Sequence, residues 1–200
     1  MDITILGQVF LGLTLAATAG LRAWLPLLAL SVLGHLDVIP LNEQLAWLAS
    51  PNAIVVLAIA TVLEIAADKI PAVDHAMDTL GVVIRPIAGA MAMSAAIADV
   101  DPLIAITLGI AAGGTSAEVV ELSKATTRVV ANVTSFGIGG RALSIAEDGL
   151  AIGGIILGLL IPLIIGFFVA VLTIVGILSL PKLLRAFRQR QRRTQSPSPS

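Results

Sequence analysis

Long apolar runs separated by short polar connections follow one another along the whole chain. The first run, residues 3–36, holds Gln8 and Arg22 as the polar residues of its interior. As a single helix it would be about 51 Å long, whereas the hydrocarbon core of a bilayer is about 30 Å thick. Gly20 and Pro26 therefore predict two half-helices or a kinked span, with Arg22 near the bend. Arg22 then lies either deep in the protein or at the interface, where it would snorkel to the headgroups.

Later runs predict further helical spans. They cover residues 52–70, 79–98, 102–132 and 149–180. The more polar connection 35–51 contains Trp47 and predicts a short interfacial helix. Pro71 stops one helix, and Arg85-Pro86 followed by Gly89 predicts an interruption of the next.

Small residues indicate where helices approach closely or break. Glycines inside the segment 102–132 favour close helix packing. A stripe of small residues with four-residue spacing follows: Gly154, Gly158, Pro162 and Gly166. This stripe either packs against another helix inside the bundle or forms a subunit interface, and the sequence leaves both alternatives open. Residues 134–140 predict a break that must be buried in protein or line a wet cavity.

The composition assigns the class. Hydrophobic residues make up 57% of the chain and charged residues 12%, with a mean hydropathy of +1.00. Soluble domains contain about 25% charged residues. We therefore predict an all-α integral membrane protein, a single domain over 1–180 with about six transmembrane segments and broken or re-entrant helices.

Basic residues are concentrated at the end of the chain. Residues 181–200 carry a charge of +6, and the remainder carries −7. This predicts a cytoplasmic, disordered tail that contacts anionic lipid headgroups. Counting back through six segments places the N-terminus in the cytoplasm as well. Aromatic residues are only 4% of the chain and no recognition motif accompanies the tail, which argues against nucleic-acid binding.

Charged side chains inside the apolar segments are the candidate functional residues. Glu118, Glu121, Lys124, Arg128 and Asn132 fall at steps of three and four, so they share one helix face. We expect a solute or ion pathway formed by the polar residues of the spans and breaks: Arg22, Glu64, Asp68, Lys69, Arg85, Glu118, Glu121, Lys124, Arg128, Asn132, Arg141, Glu147 and Asp148.

Two other uses of these charges stay open. A lattice of ion pairs would hold the bundle together without any transport role. The carboxylates are also suitable ligands for a divalent cation, although nearby bases compete for them. No metal or other cofactor is predicted, because His35 and His75 are isolated and cysteine is absent.

No enzyme signature accompanies the charges. Ser144 and Glu147 match a helix capping box, which predicts Ser144 as an N-cap.

Parallel similarities suggest an internal repeat, with chance as the other explanation. Glu64, Lys69 and Arg85 are echoed by a later trio: Glu118, Lys124 and Arg141. Transporters often arise from such duplications.

Five motifs together resemble a known family. They are Ala-Gly-Leu-Arg-Ala-Trp-Leu-Pro at 19–26, Glu64-x-x-x-Asp68-Lys69, Arg85-Pro-x-Ala-Gly89, Lys124-Ala-x-x-Arg128 with Asn132, and Ser144-x-x-Glu147-Asp148. The combination resembles the bacterial domain-of-unknown-function 4126 family over residues 10–165. The resemblance implies a polytopic protein of the bacterial inner membrane and assigns no activity or catalytic residue.

Three functions are consistent with these patterns. The first is a small transporter or channel with a buried charged site for an anionic solute or a lipid headgroup, in a homo-oligomer. The second is a non-catalytic membrane scaffold or accessory subunit with structural ion pairs. The third, favoured least because no catalytic motif is present, is an intramembrane enzyme acting on lipid.

Overall fold

The computed structural model describes residues 5–67, 71–134 and 139–194, with side-chain positions in 5–67, 80–127 and 144–179. Every regular element in the described ranges is helical, so the predicted all-α class is confirmed. The α-helices are α1 Ile5–Leu21, α2 Trp24–His35, α3 Pro51–Ala67, α4 Pro71–Ala96, α5 Pro102–Leu108, α6 Thr115–Thr134, α7 Gly139–Leu160 and α8 Pro162–Thr194. A 3₁₀ helix, Glu43–Ala49, precedes α3, and a π-helix, Gly109–Gly114, joins α5 to α6.

Helix α1 lies at the centre of the bundle. Helices α4, α6, α7 and α8 all pack against it. Leu11, Leu15, Ala16 and Ala19 of α1 are each at most 1% exposed. Its small residues, Gly12 and Gly20 among them, let neighbouring helices approach closely, in keeping with its central position.

Glycines set the closest helix contacts. A Cβ atom at Gly113 of the π-helix would lie 2.7 Å from the carbonyl oxygen of Gly89 in α4. A Cβ at Gly154 or Gly158 of α7 would come within 2.8 Å of threonine side chains of α1. Gly166 of α8 meets Phe10 of α1 in the same way. Three members of the predicted stripe therefore pack inside the bundle, while the fourth, Pro162, begins α8.

The first apolar run is divided as predicted. Helix α1 ends at Leu21 and α2 begins at Trp24, which leaves Arg22 and Ala23 in the break. The 3₁₀ helix agrees with the predicted short helix around Trp47, whose side chain is exposed.

One prediction about the following helices was wrong. Helix α4 passes through Pro86 without interruption. Proline removes one backbone hydrogen bond, and a helix packed on several sides tolerates that loss. The segment 102–132 is helical as predicted, and the π-helix lies within it.

The charge-free run 149–180 also divides. Helix α7 ends at Leu160 and α8 begins at Pro162, whose ring is well suited to the first turn of a helix. Helix α8 then continues through the predicted boundary at 180 as far as Thr194, so the backbone of 181–194 is helical rather than disordered. Residues 195–200, with most of the Ser/Pro end, lie outside the described residues, as does most of the glycine-rich break at 134–140.

Fewer helices reach membrane-spanning length than the predicted six. Pro102–Thr127 and Pro162–Ser179 are long and apolar enough, and the 3₁₀ helix with α3 makes a third candidate across a bend of 72°. Ile5–Leu21, Trp24–His35 and Leu80–Ala96 are apolar but shorter, because breaks and charged residues divide the runs. The outward faces of α3, α7 and α8 are nevertheless apolar, and α8 exposes Phe167, Phe168, Leu172 and Leu178. Such apolar helices indicate a membrane protein.

Candidate functional site

Arg22 in the break between α1 and α2 is the most deeply buried charged side chain, at 1% exposure among the described residues. Its Nε donates to Oδ1 of Asp148 at 2.7 Å, and its Nη2 lies 2.6 Å from the same oxygen. Nη2 also donates to Oγ of Ser144 at 3.3 Å. Of the two interpretations of Arg22, the buried one is confirmed. The break is thereby tied to α7.

Glu64 of α3 supplies the cap that α2 lacks in its own sequence. Ala23, the residue before α2, has no side chain able to accept a hydrogen bond. The backbone N–H of Ala23 donates to Oε1 of Glu64 at 2.9 Å, and that of Trp24 donates to Oε2 at 3.3 Å. A carboxylate here satisfies free amides and faces the positive end of the helix dipole.

Lys124 of α6 caps the C-terminus of α1, as Glu64 caps the N-terminus of α2. Its Nζ donates to the carbonyl oxygen of Leu21 at 3.3 Å and lies 3.1 Å from Oε2 of Glu147 in α7. Both Lys124 and Glu147 are buried. A cation at a helix C-terminus satisfies a free carbonyl and the negative end of the dipole. Charges of opposite sign from different helices thus hold the two ends of the broken run.

A third ion pair lies farther along the same face of α6. Arg85 of α4 pairs with Glu121, and both side chains are buried. Glu121 and Lys124, two of the five residues predicted to share one face of α6, thus form ion pairs with neighbouring helices. These contacts join α6 to α4 and α7.

Glu118 lies on the same helix one turn earlier and stands apart from these pairs. Its side chain is partly buried, and Oε2 has no hydrogen-bond partner within the described structure. It lines a groove between α4, the π-helix, α6 and α8.

A cavity of about 360 Å³ lies beside the Lys124–Glu147 pair, between α1, α6, α7 and α8. We call it the Lys124 cavity. Its polar lining comes from Lys124, Glu147, Ser123, Thr127 and Thr173. The other walls are aliphatic. Its rim includes exposed side chains, Leu150 and Leu172 among them, so the cavity opens sideways on the outer face of the bundle.

The predicted pathway residues thus separate into groups. Seven form the charged cluster at the helix break and along α6: Arg22, Glu64, Arg85, Glu121, Lys124, Glu147 and Asp148. Glu118 faces the separate groove. Asp68 and Lys69 lie outside the described residues, and no side-chain position is described for three others: Arg128, Asn132 and Arg141.

The predicted role of Ser144 was wrong. Helix α7 begins at Gly139, so Ser144 lies in its second turn rather than at its N-terminus and binds Arg22 instead. A capping signature is a local pattern, and here the helix already begins five residues upstream of Ser144, at Gly139.

Sequence reasoning also missed two buried amides. Gln8 accepts the backbone N–H groups of Ala98 and Asp99 through Oε1, at 3.0 and 3.2 Å. Asn42 donates from Nδ2 to the carbonyl oxygen of Ile97 at 3.1 Å. Both fix the loop after α4. For Gln8 the available signal was a lone amide in an apolar stretch, which needs a buried partner, whereas Asn42 lies in a polar connection and gave no such signal.

Metal coordination finds no geometric support in the described part of the chain. No three His, Asp or Glu side chains there converge as a ligand set. Glu64 and Glu121, two of the carboxylates weighed as oxygen ligands, instead contact a helix end and a basic group.

Comparison with known proteins gives a family and no further relative. No curated protein and no solved structure matches the chain. The model of the family described as "Domain of unknown function (DUF4126)" matches residues 9–182. This range contains the helix break, the three ion pairs and both cavities. The motif-based resemblance is therefore confirmed, and the chain belongs to the DUF4126 family.

Proposed function

We propose that this chain is a small multi-pass membrane transporter that moves an amphipathic molecule with an anionic head, such as a lipid, through the Lys124 cavity. The observation that carries the proposal is the position of a buried ion pair on the floor of a cavity with otherwise aliphatic walls and a lateral opening. Membrane sites of this kind combine an apolar environment for a chain with a small number of polar groups for a head.

The geometry supports an anionic head in particular. Lys124 already divides its donors between Glu147 and the Leu21 carbonyl oxygen. An incoming anion can replace the Glu147 carboxylate at Nζ while the contact with Leu21 is kept. Ser123 and Thr127 at the rim donate their hydroxyl groups to backbone carbonyls of α6, and they can donate to a head only by rotating away from these carbonyls. The N-terminus of α2, the other position for an anion, is already occupied by Glu64.

The membrane arrangement is part of the same proposal. The broken helices α1 and α2 act as half-helices within a bundle of about six segments, as in transporters whose sites lie at interrupted helices. Both termini lie in the cytoplasm, and the membrane is the bacterial inner membrane. The basic residues after position 180 support this orientation.

Movement of labelled lipid tests the proposal. Purified protein is reconstituted into phosphatidylcholine vesicles with trace phosphatidylglycerol carrying a fluorescent nitrobenzoxadiazole group, and dithionite reports the fraction in the outer leaflet over time. We expect protein-dependent movement of this anionic lipid. Leu172→Trp narrows the cavity and should slow movement about tenfold, equivalent to roughly 1.4 kcal/mol on the barrier.

Leu103→Trp is the matched control. Leu103 is an exposed leucine of α5 outside the cavity lining, so the same substitution should leave the rate unchanged. Equal rates in vesicles with and without protein would overturn the proposal, and so would a Leu172→Trp rate equal to that of Leu103→Trp.

A second candidate, a non-catalytic scaffold or accessory subunit, is favoured by one observation. Arg22, Arg85 and Lys124 each have a carboxylate partner in the resting structure. Such pairing is what a structural lattice requires. For a scaffold, no lipid movement occurs, and charge-neutralising variants lose co-purifying subunits instead.

A further inference from the structure

A second hollow on the molecule has a chemistry different from that of the Lys124 cavity. We call it the Glu118 groove. It has a volume of about 700 Å³ and is bounded by α4, the π-helix, α6 and α8. Residues that matter for its chemistry are Val82, Pro86, Ile110, Glu118, Leu122 and Ile177. Glu118 is the only charged residue in its described lining.

No ion pair of the charged cluster includes the Glu118 carboxylate. Oε2 is buried and has no hydrogen-bond partner in the described structure. The nearest bases along α4 and α6 have other partners, since Arg85 pairs with Glu121 and Lys124 with Glu147. Buried carboxylate oxygens normally find a donor or a cation. The groove therefore contains a carboxyl group for which the described structure shows no basic partner.

The groove is bounded by two irregular backbone segments, the turn of α4 at Pro86 and the π-helix, and the first of these adds a carbonyl acceptor. Pro86 has no N–H, so the carbonyl of Val82 lacks its usual donor in α4. The π-helix packs one turn further along α4, where a Cβ at Gly114 would lie 3.2 Å from the Pro86 carbonyl oxygen. π-helical turns occur frequently at functional sites. Here the π-helix directly precedes α6, the helix that carries Glu118.

We propose that the Glu118 groove binds a lipophilic organic cation, such as an ammonium or phosphonium with an apolar body. The volume lies within the range typical of sites for small organic molecules. One carboxylate in an apolar groove complements one delocalised positive charge. A divalent metal ion needs several oxygen ligands, which this lining does not supply. This site is separate from the lipid movement proposed above, because the charged residue and the ligand class differ, although α6 and α8 contribute to both linings.

Equilibrium dialysis of tetraphenylphosphonium against the purified full-length protein in detergent tests the inference. We expect saturable binding by the wild type and a loss of affinity of about tenfold or more in Glu118→Gln. Glu43→Gln, the same change at an exposed glutamate of the 3₁₀ helix, should bind as the wild type does.

A steric pair of variants keeps the test valid if Glu118→Gln folds poorly. Ile177→Trp fills the groove and should weaken binding, whereas Leu172→Trp alters only the Lys124 cavity and should not. Absence of saturable binding in the wild type, or unchanged affinity in both Glu118→Gln and Ile177→Trp, would overturn the inference. Neither outcome bears on lipid movement, so the two proposals can fail separately.

Discussion

The Lys124–Glu147 pair gives the sharpest test of how buried charge is used in this bundle. We consider Lys124→Met, Glu147→Leu and the double variant, with stability measured from the thermal unfolding of the detergent-solubilised protein by circular dichroism. The two charged atoms are 3.1 Å apart and both side chains are buried. Their direct attraction is about 5 kcal/mol at an effective dielectric constant of about 20. Desolvation of the two ions offsets much of it.

Each single substitution leaves one buried charge without this counter-ion. Such a loss costs about 3–5 kcal/mol. For a chain of this size about 1 kcal/mol lowers Tm by roughly 2–4 °C, so each single variant should lose about 6–20 °C. The double variant should lie close to the wild type. Replacing a buried pair by apolar groups is often neutral or stabilising by about 1–4 kcal/mol, while the Leu21 carbonyl loses a donor at a cost of about 1–3 kcal/mol.

Non-additivity is the decisive quantity. If the double variant loses as much stability as the two single variants together, the pair is not energetically coupled and the reasoning fails. Glu43→Leu on the exposed 3₁₀ helix is the control and should change stability by no more than about 0.5 kcal/mol. The same double variant also separates fold from function: it should fold and yet fail to move anionic lipid, since it has lost the ammonium group in the cavity.

Two further predictions follow from the helix ends and the close helix contacts. Glu64→Ala removes the acceptor for two backbone amides and should cost about 1–3 kcal/mol, with faster hydrogen exchange at Ala23 and Trp24; unchanged protection of these amides would contradict the capping role. Gly113→Ala forces a Cβ into the α4 backbone and should lower stability by about 1–3 kcal/mol, whereas Gly153→Ala, where the space is open, should raise it by about 0.5–1 kcal/mol. Equal Tm changes for the two glycine variants would refute the close-packing argument.

The sequence predicted which residues carry charge into the bundle but not how they pair. The apolar runs gave the all-helical class, and run length gave the break near Arg22. The three-and-four spacing on α6 gave one charged face. The partners of these charges could not be predicted in the same way, because paired residues such as Arg22 and Asp148 are 126 positions apart in the sequence. No local rule relates residues that tertiary packing brings together.

The sequence also failed to predict where the regular α-helical backbone is interrupted. Pro86 predicted an interruption, and α4 continues through it. Conversely, no proline marks the Gly109–Gly114 segment, which becomes a π-helix. Both outcomes depend on the contact between α4 and the π-helix, where Gly89 and Gly113 let the backbones approach. Packing of this kind overrides single-residue propensities.

The helix break, the ion pairs and the proposed cavity form one connected system through Lys124. Its Nζ contacts both the last carbonyl of α1 and the Glu147 carboxylate, and its side chain lines the cavity. An anionic head that draws Nζ away from Glu147 therefore also changes the group that holds the end of α1. Asp148 follows Glu147 in α7 and binds Arg22 in the break. A displacement of α7 would therefore change both the contact of Glu147 with Lys124 and the contact of Asp148 with Arg22. A broken central helix with both ends held by side chains of other helices is a structure in which occupancy of the cavity can alter helix position. A continuous α1–α2 helix would have satisfied its own backbone and needed neither Glu64 nor Lys124.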